Sequence, residues 1–101
     1  MQNNSDFMPN NSDFINMVLT GQIREVKAML EAGANANGIT PDGTSPALAA
    51  VSTNNVDMLR LLLTYEARVN IPDRMGRTAI SFAEQKGSPA ITQILGLKPK
   101  V

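Results

Sequence analysis

Chemistry needs side chains that exchange protons, offer electron pairs or hold ions, and this chain is unevenly stocked with them. Its 101 residues include no His and no Cys. That removes the commonest general base, thiolate catalysis, disulfides, every His-dependent triad and Cys-ligated zinc. Of the nine acidic residues, Asp42, Asp57, Glu66 and Asp73 sit in turn, cap-region or surface contexts. No Gly-rich phosphate loop, metal-ligand spacing or nucleophile motif accompanies them. The expectation is a protein that is not an enzyme, with no catalytic residues, no metal and no cofactor.

Recognition chemistry is better supplied. Arg74, Arg77 and Lys86 fall close together, and from Asp73 to Val101 they join Lys98 and Lys100 against only Asp73 and Glu84. From Met1 to Thr40 the balance reverses, with Arg24 and Lys27 against Asp6, Asp13, Glu25 and Glu31. The carboxyl-terminal third thus suits an acidic partner, since Arg makes bidentate contacts with carboxylates; a solubilising cap accounts for the same charges equally well. Over the whole chain nine basic and nine acidic residues cancel. With few aromatics besides, nothing draws it to nucleic acid or to an anionic membrane. The opening MQNNSDFMPNNSDF has neither a basic start nor an apolar core, and no later run reaches membrane-spanning length. A cytoplasmic protein is expected, with secretion by a route that ignores such signals left open.

What positions these groups is a repeat of 33 residues. Shifting Gly21 to Asn37 by that interval lays Ile23 on Val56, Val26 on Leu59, Leu30 on Leu63, Ala34 on Ala67 and Asn37 on Asn70. A second shift lays Gly43 on Gly76, Ser45 on Thr78, Ala50 on Ala83, Asn54 on Gly87 and Met58 on Ile91. A period of this length denotes stacked supersecondary units that share one core.

Each unit reads as helix, tight turn, helix, then an extended loop. The first helix carries Phe14, Met17 and Val18 on one face, with Ser12 as its N-cap. A second follows from Gln22 to Ala32, ended by Gly33 at positive φ. In the next unit Asp42-Gly43 turns, Ser45 caps, Pro46 opens the short helix ending at Val51, and Asn54 takes positive φ. Val56 to Thr64 forms its outer helix, burying Val56, Leu59, Leu62 and Leu63. In the last unit Gly76 turns, Thr78 caps Ala79 to Glu84, Gly87 reverses the chain, and Ser88-Pro89 starts a helix ending near Leu97. NNSDF occurs at Asn3 to Phe7 and again at Asn10 to Phe14, a slipped copy. The resulting division is a flexible Asn-rich segment at 1–10, a repeat domain at 11–97 with units near 11–40, 41–72 and 73–97, and a tail at 98–101.

The submotifs EAGANAN at Glu31 to Asn37, DGTSPALAA at Asp42 to Ala50, VDMLRLLL at Val56 to Leu63, EARVN at Glu66 to Asn70 and DRMGRTAISFA at Asp73 to Ala83 recur in phase. Together they resemble ankyrin repeats over roughly Asn11 to Leu97. The resemblance implies an all-α fold, a helical solenoid of three helix-turn-helix units joined by extended hairpin-like loops. It departs from the family pattern where a His usually follows the Thr-Pro-Leu run: Ile15, Leu48 and Ser81 stand there. A modestly weaker stack is expected, and Glu66 in the place of Gly33 adds strain if it keeps positive φ. Asn16 at one end and Thr92 and Gln93 at the other suit capping units, so the stack reads as finished.

The resemblance also implies function: binding of a protein partner through the concave side. Carried over by position, that surface comprises Asp42, Thr44, Ser52, Thr53, Arg74, Met75, Arg77, Gln85 and Lys86, with Asn11, Leu19 and Thr20 extending it into the first unit. Any one of these is equally an ordinary solvated residue. Asn37 and Asn70 occupy a loop position that is an oxygenase substrate in some relatives; here each is expected to hold its loop by side-chain hydrogen bonds to backbone. A monomeric, non-catalytic interaction module is the leading reading. The alternatives are a small bacterial or viral effector or inhibitor aimed at a host protein, and a self-associating structural protein.

Overall fold

A computed structural model of the chain describes residues 10–97. The segment at 1–9 and the tail at 98–101, for which flexibility and exposed charge are expected, lie outside the described residues. Those residues form six helices and no strand: α1 (Asn11–Leu19), α2 (Ile23–Glu31), α3 (Pro46–Ser52), α4 (Val56–Thr64), α5 (Ala79–Lys86) and α6 (Pro89–Ile94). Helices α1, α3 and α5 pack side by side as an inner row, and α2, α4 and α6 form an outer row against them.

Side-chain size explains the two rows. Helix α3 is buried from Pro46 to Val51, and Ala47, Ala49 and Ala50 have no exposed surface. Methyl side chains let α1 and α5 approach it from both sides, and Ala79 and Ala83 repeat the device on α5. The outer row supplies bulk: Val26, Leu30, Met58, Leu59, Leu62 and Ile91 are buried, each such side chain contributing about 1.5–3 kcal/mol. The face of α4 differs from expectation. Met58 is fully buried beside Leu59 and Leu62, whereas Val56 and Leu63 are only partly covered. Helix α4 touches α2, α3 and α6, and its buried stripe is turned toward Met58 and away from Val56 and Leu63.

Five of the helices end alike. Backbone N–H groups of Gly21 and Gln22, Gly33 and Ala34, Asn54 and Asn55, Glu66 and Ala67, and Gly96 and Leu97 return to carbonyls three and five residues earlier. This closure needs positive φ at its pivot, which is 56° at Asn54 and 65° at Glu66, the two described non-glycine residues in that region. Gly96 imposes the same ending on α6, which therefore stops at Ile94 and not near Leu97. Helix α5 is the exception. Gly87 has φ −72°, and a Cβ there would come within 2.6 Å of the Ala83 carbonyl oxygen, so glycine is required for space and not for handedness.

The N-cap of α1 is a correction. Asn10, expected in the flexible segment, accepts the Asp13 N–H at 2.8 Å, and Ser12 lies inside the helix. Starting early places Asn11 where its Nδ2 donates to the Ile39 carbonyl at 3.0 Å, tying α1 to the loop that leaves its own unit. The other inner helices begin as the repeat dictates: Ser45 accepts from Leu48 N, and Thr78 and Ser81 exchange hydrogen bonds in a capping box.

Candidate functional site

Two loop tips stand beside the inner row. In the tip at 73–77, Asp73 is buried and its Oδ1 accepts the N–H groups of Met75 at 2.9 Å and Arg77 at 2.8 Å. Its Oδ2 lies 2.8 Å from both the Nε and a terminal nitrogen of Arg77. These donors hold the Asp73 carboxyl below the usual carboxylate range, the Arg77 backbone N–H contributing most and desolvation opposing it. At 40–44, one repeat earlier, Thr40 stands where Asp73 does. Its Oγ1 accepts the Thr44 N–H at 3.1 Å and donates to Asp42 Oδ1, which also accepts from Thr44 N at 3.2 Å. Asp42 is lowered too, chiefly by the Thr40 hydroxyl. The tips meet where Arg74 N donates to the Asp42 carbonyl at 3.4 Å, and a Cβ on Gly43 would lie 2.9 Å from Arg74 N. Thr40 was legible in the 33-residue spacing, yet the residues at 42–43 hid it because they form a turn pair by themselves.

The nine residues named from the sequence divide into two sets. Asp42 and Thr44 are engaged within their tip. Ser52 Oγ donates to the Ala49 carbonyl at 2.9 Å and Thr53 Oγ1 to those of Ala49 and Ala50, so both hydroxyls are turned onto the end of α3. Arg77 is bound to Asp73, which neutralises one of the three charges read as a basic cluster. Arg74, Met75, Gln85 and Lys86 are exposed, Met75 at 78%. Among the described residues Arg74 and Lys86 form no ion pair.

At the other end, Leu19 is exposed beside a groove of about 390 Å³ between α1 and the first tip, lined also by Ile15, Asn16 and Pro41. Ile39, which the sequence did not single out, is exposed along a shallower continuation of it. The loop asparagines depart from expectation. Asn37 holds the next unit and not its own loop: Oδ1 accepts Arg68 N–H at 2.6 Å and Nδ2 donates to the Glu66 carbonyl at 3.3 Å. The local turn belongs to Asn35, whose Oδ1 accepts Asn37 N–H at 2.8 Å. Asn70 is exposed and makes no such bond among the described residues.

Among the described residues no three acidic, His or Cys groups converge to hold a metal ion, and no helix is long and apolar enough to cross a membrane. What the tips offer is a rigid display of side chains.

Comparison with known proteins agrees with that architecture. A profile of ankyrin repeats, three copies long, matches residues 14–100. Over 65 residues, 64% of the chain, it is 42% identical to the Ankyrin repeat and LEM domain-containing protein 1 homolog of Caenorhabditis elegans, covering 9% of that protein. It is 39% identical over 62 residues to Dynein axonemal heavy chain 12 of Bos taurus, 61% of the chain and 17% of that sequence. With the human ARF GTPase-activating protein GIT1 it shares 34% identity over 79 residues, 77% of the chain and 10% of the relative. The chain thus spans less than a fifth of the length of each of these relatives. Two rows of helices, a recurring helix closure and a three-copy match over most of the sequence place the chain in the ankyrin-repeat family.

Proposed function

We propose that the chain is a non-catalytic, monomeric module that binds a protein partner through the exposed inner-row ends and loop tips of its third unit. Ankyrin repeats serve generally as protein-interaction scaffolds, so the specific content lies in which surface is used. One observation carries the reading: the tip at 73–77 is fixed from within by Asp73, while Arg74 and Met75 project from it. A large flexible apolar side chain on a preorganised turn loses little backbone entropy on binding and adapts to a partner's surface. Arg74 and Lys86 flank it with positive charge, which favours an acidic partner surface and faster encounter at low salt.

The test is affinity capture by the full chain followed by identification and purification of the partner, with Kd measured against ionic strength. Met75→Ala and the pair Arg74→Glu with Lys86→Glu should weaken binding tenfold or more, the scale of one central contact at about 1.4 kcal/mol. Arg77 is left intact because replacing it disturbs the turn. Binding that survives both changes refutes the assignment of this surface. A sedimentation mass above that of one chain at working concentration refutes the monomer.

A further inference from the structure

The seam between the first two units is held by a side chain that its own neighbour makes chemically labile. Asn37 bridges to Arg68 N and the Glu66 carbonyl, and it is followed by Gly38, the single Asn-Gly step in the sequence. A glycine after asparagine leaves its backbone nitrogen unhindered for attack on the preceding carboxamide. Gly38 is itself constrained: a Cβ there would lie 2.2 Å from Asn11 Oδ1, on the side chain that anchors α1 to Ile39. Both members of the reactive pair therefore have structural roles.

We propose that Asn37 is a site of spontaneous deamidation gated by this seam, and that its conversion loosens the contact between the first and second units. While the seam is closed, both ends of the carboxamide are engaged and Gly38 N–H donates to the Asn35 carbonyl at 3.2 Å. Local opening releases them together. The Gly38 nitrogen then gives up its proton and attacks Asn37 Cγ. The N–Cγ bond forms, the Cγ–Nδ2 bond breaks, and ammonia leaves with that proton. One water molecule opens the cyclic imide at either carbonyl, leaving aspartate or isoaspartate. No oxidant or cofactor is consumed.

Neither product restores the seam. Aspartate has no N–H for the Glu66 carbonyl and sets a carboxylate oxygen against it, leaving an acceptor facing an acceptor. Isoaspartate lengthens the backbone by one carbon and displaces both contacts. Because the change is covalent, the seam records how often it has opened.

The full chain is aged in warm, mildly alkaline buffer, with and without urea sufficient to unfold it, and residue 37 is followed by peptide mapping. Conversion is expected in urea, slower by about tenfold or more in buffer, and suppressed in urea by Gly38→Ala. The aged acidic species, isolated by ion exchange and changed only at 37, should melt below the fresh chain. Asn37→Asp should do the same, up to failure to fold. Equal rates in buffer and urea, no conversion in urea, persistence in Gly38→Ala, or an unchanged Tm in either the aged species or Asn37→Asp overturns the proposal.

Discussion

Glu66→Gly should stabilise this protein, although it removes a side chain and adds a glycine. Glu66 pivots the closure of α4 at φ 65°, with its N–H on the Leu63 carbonyl. The side chain is exposed, so its deletion leaves no cavity. Left-handed backbone costs a residue with a Cβ roughly 1–2 kcal/mol, and the extra freedom of glycine in the unfolded chain takes back roughly 0.4–1 kcal/mol. The expected net gain is about 0.5–1 kcal/mol, or about 2–8 °C in Tm for a domain of this size. Asn54→Gly is the internal comparison. Its φ is 56°, but asparagine tolerates that region, so the gain should be only a few tenths of a kcal/mol. Glu84→Gly, exposed on α5 with ordinary helical geometry, should instead cost about 1 kcal/mol. Urea titrations of the full chain followed by far-UV circular dichroism give all three midpoints. A Glu66→Gly midpoint at or below that of the unchanged chain, with equal m values, would refute the strain assigned to Glu66.

Three further outcomes follow from the same geometry. The Asp73 and Asp42 carboxyls titrate lower in the folded than in the unfolded chain, so their contribution is present above the unfolded value of 3.8 and is lost as pH falls through the folded one. Stability should be level near neutrality and fall below about pH 4, with Asp73→Asn blunting that fall in acid titrations of Tm. Asn10→Ala should cost about 1 kcal/mol and Ser12→Ala less than about 0.5 kcal/mol; the reverse order in urea melts would return the α1 cap to Ser12. Ala50→Leu, placed where no surface is exposed, should cost roughly 1–3 kcal/mol or more by overpacking, measured in the same way.

The fold was readable because its determinants are local and repeated. Ser45, Pro46, Gly33 and Asn54 each carry a cap or closure whose chemistry depends on a few neighbours, and the 33-residue period aligns them. Reading failed where the outcome depends on how segments are arranged in space. The pairing of Asn37 with Glu66 and Arg68 spans a whole unit, and only three dimensions show it. Arg77 looked like one of three free charges because i to i+4 pairing with Asp73 is a helix rule, whereas here a turn brings the two together. The α1 cap moved because Asn10 and Ser12 are both competent caps, and the contact of Asn11 with Ile39 favours the earlier start. Exposure of Ile39 likewise depends on how the loops lie.

Helix α3 has a consequence for how such a protein can diversify. From Pro46 to Val51 it offers no side chain to solvent. A new specificity cannot be written there, since α1, α4 and α5 already enclose the helix. Variation without penalty is confined to positions that nothing else needs, such as Arg74, Met75, Gln85 and Lys86. The fixed centre and the editable margin are separate residues, so one backbone can be readdressed to different partners while its interior is inherited unchanged.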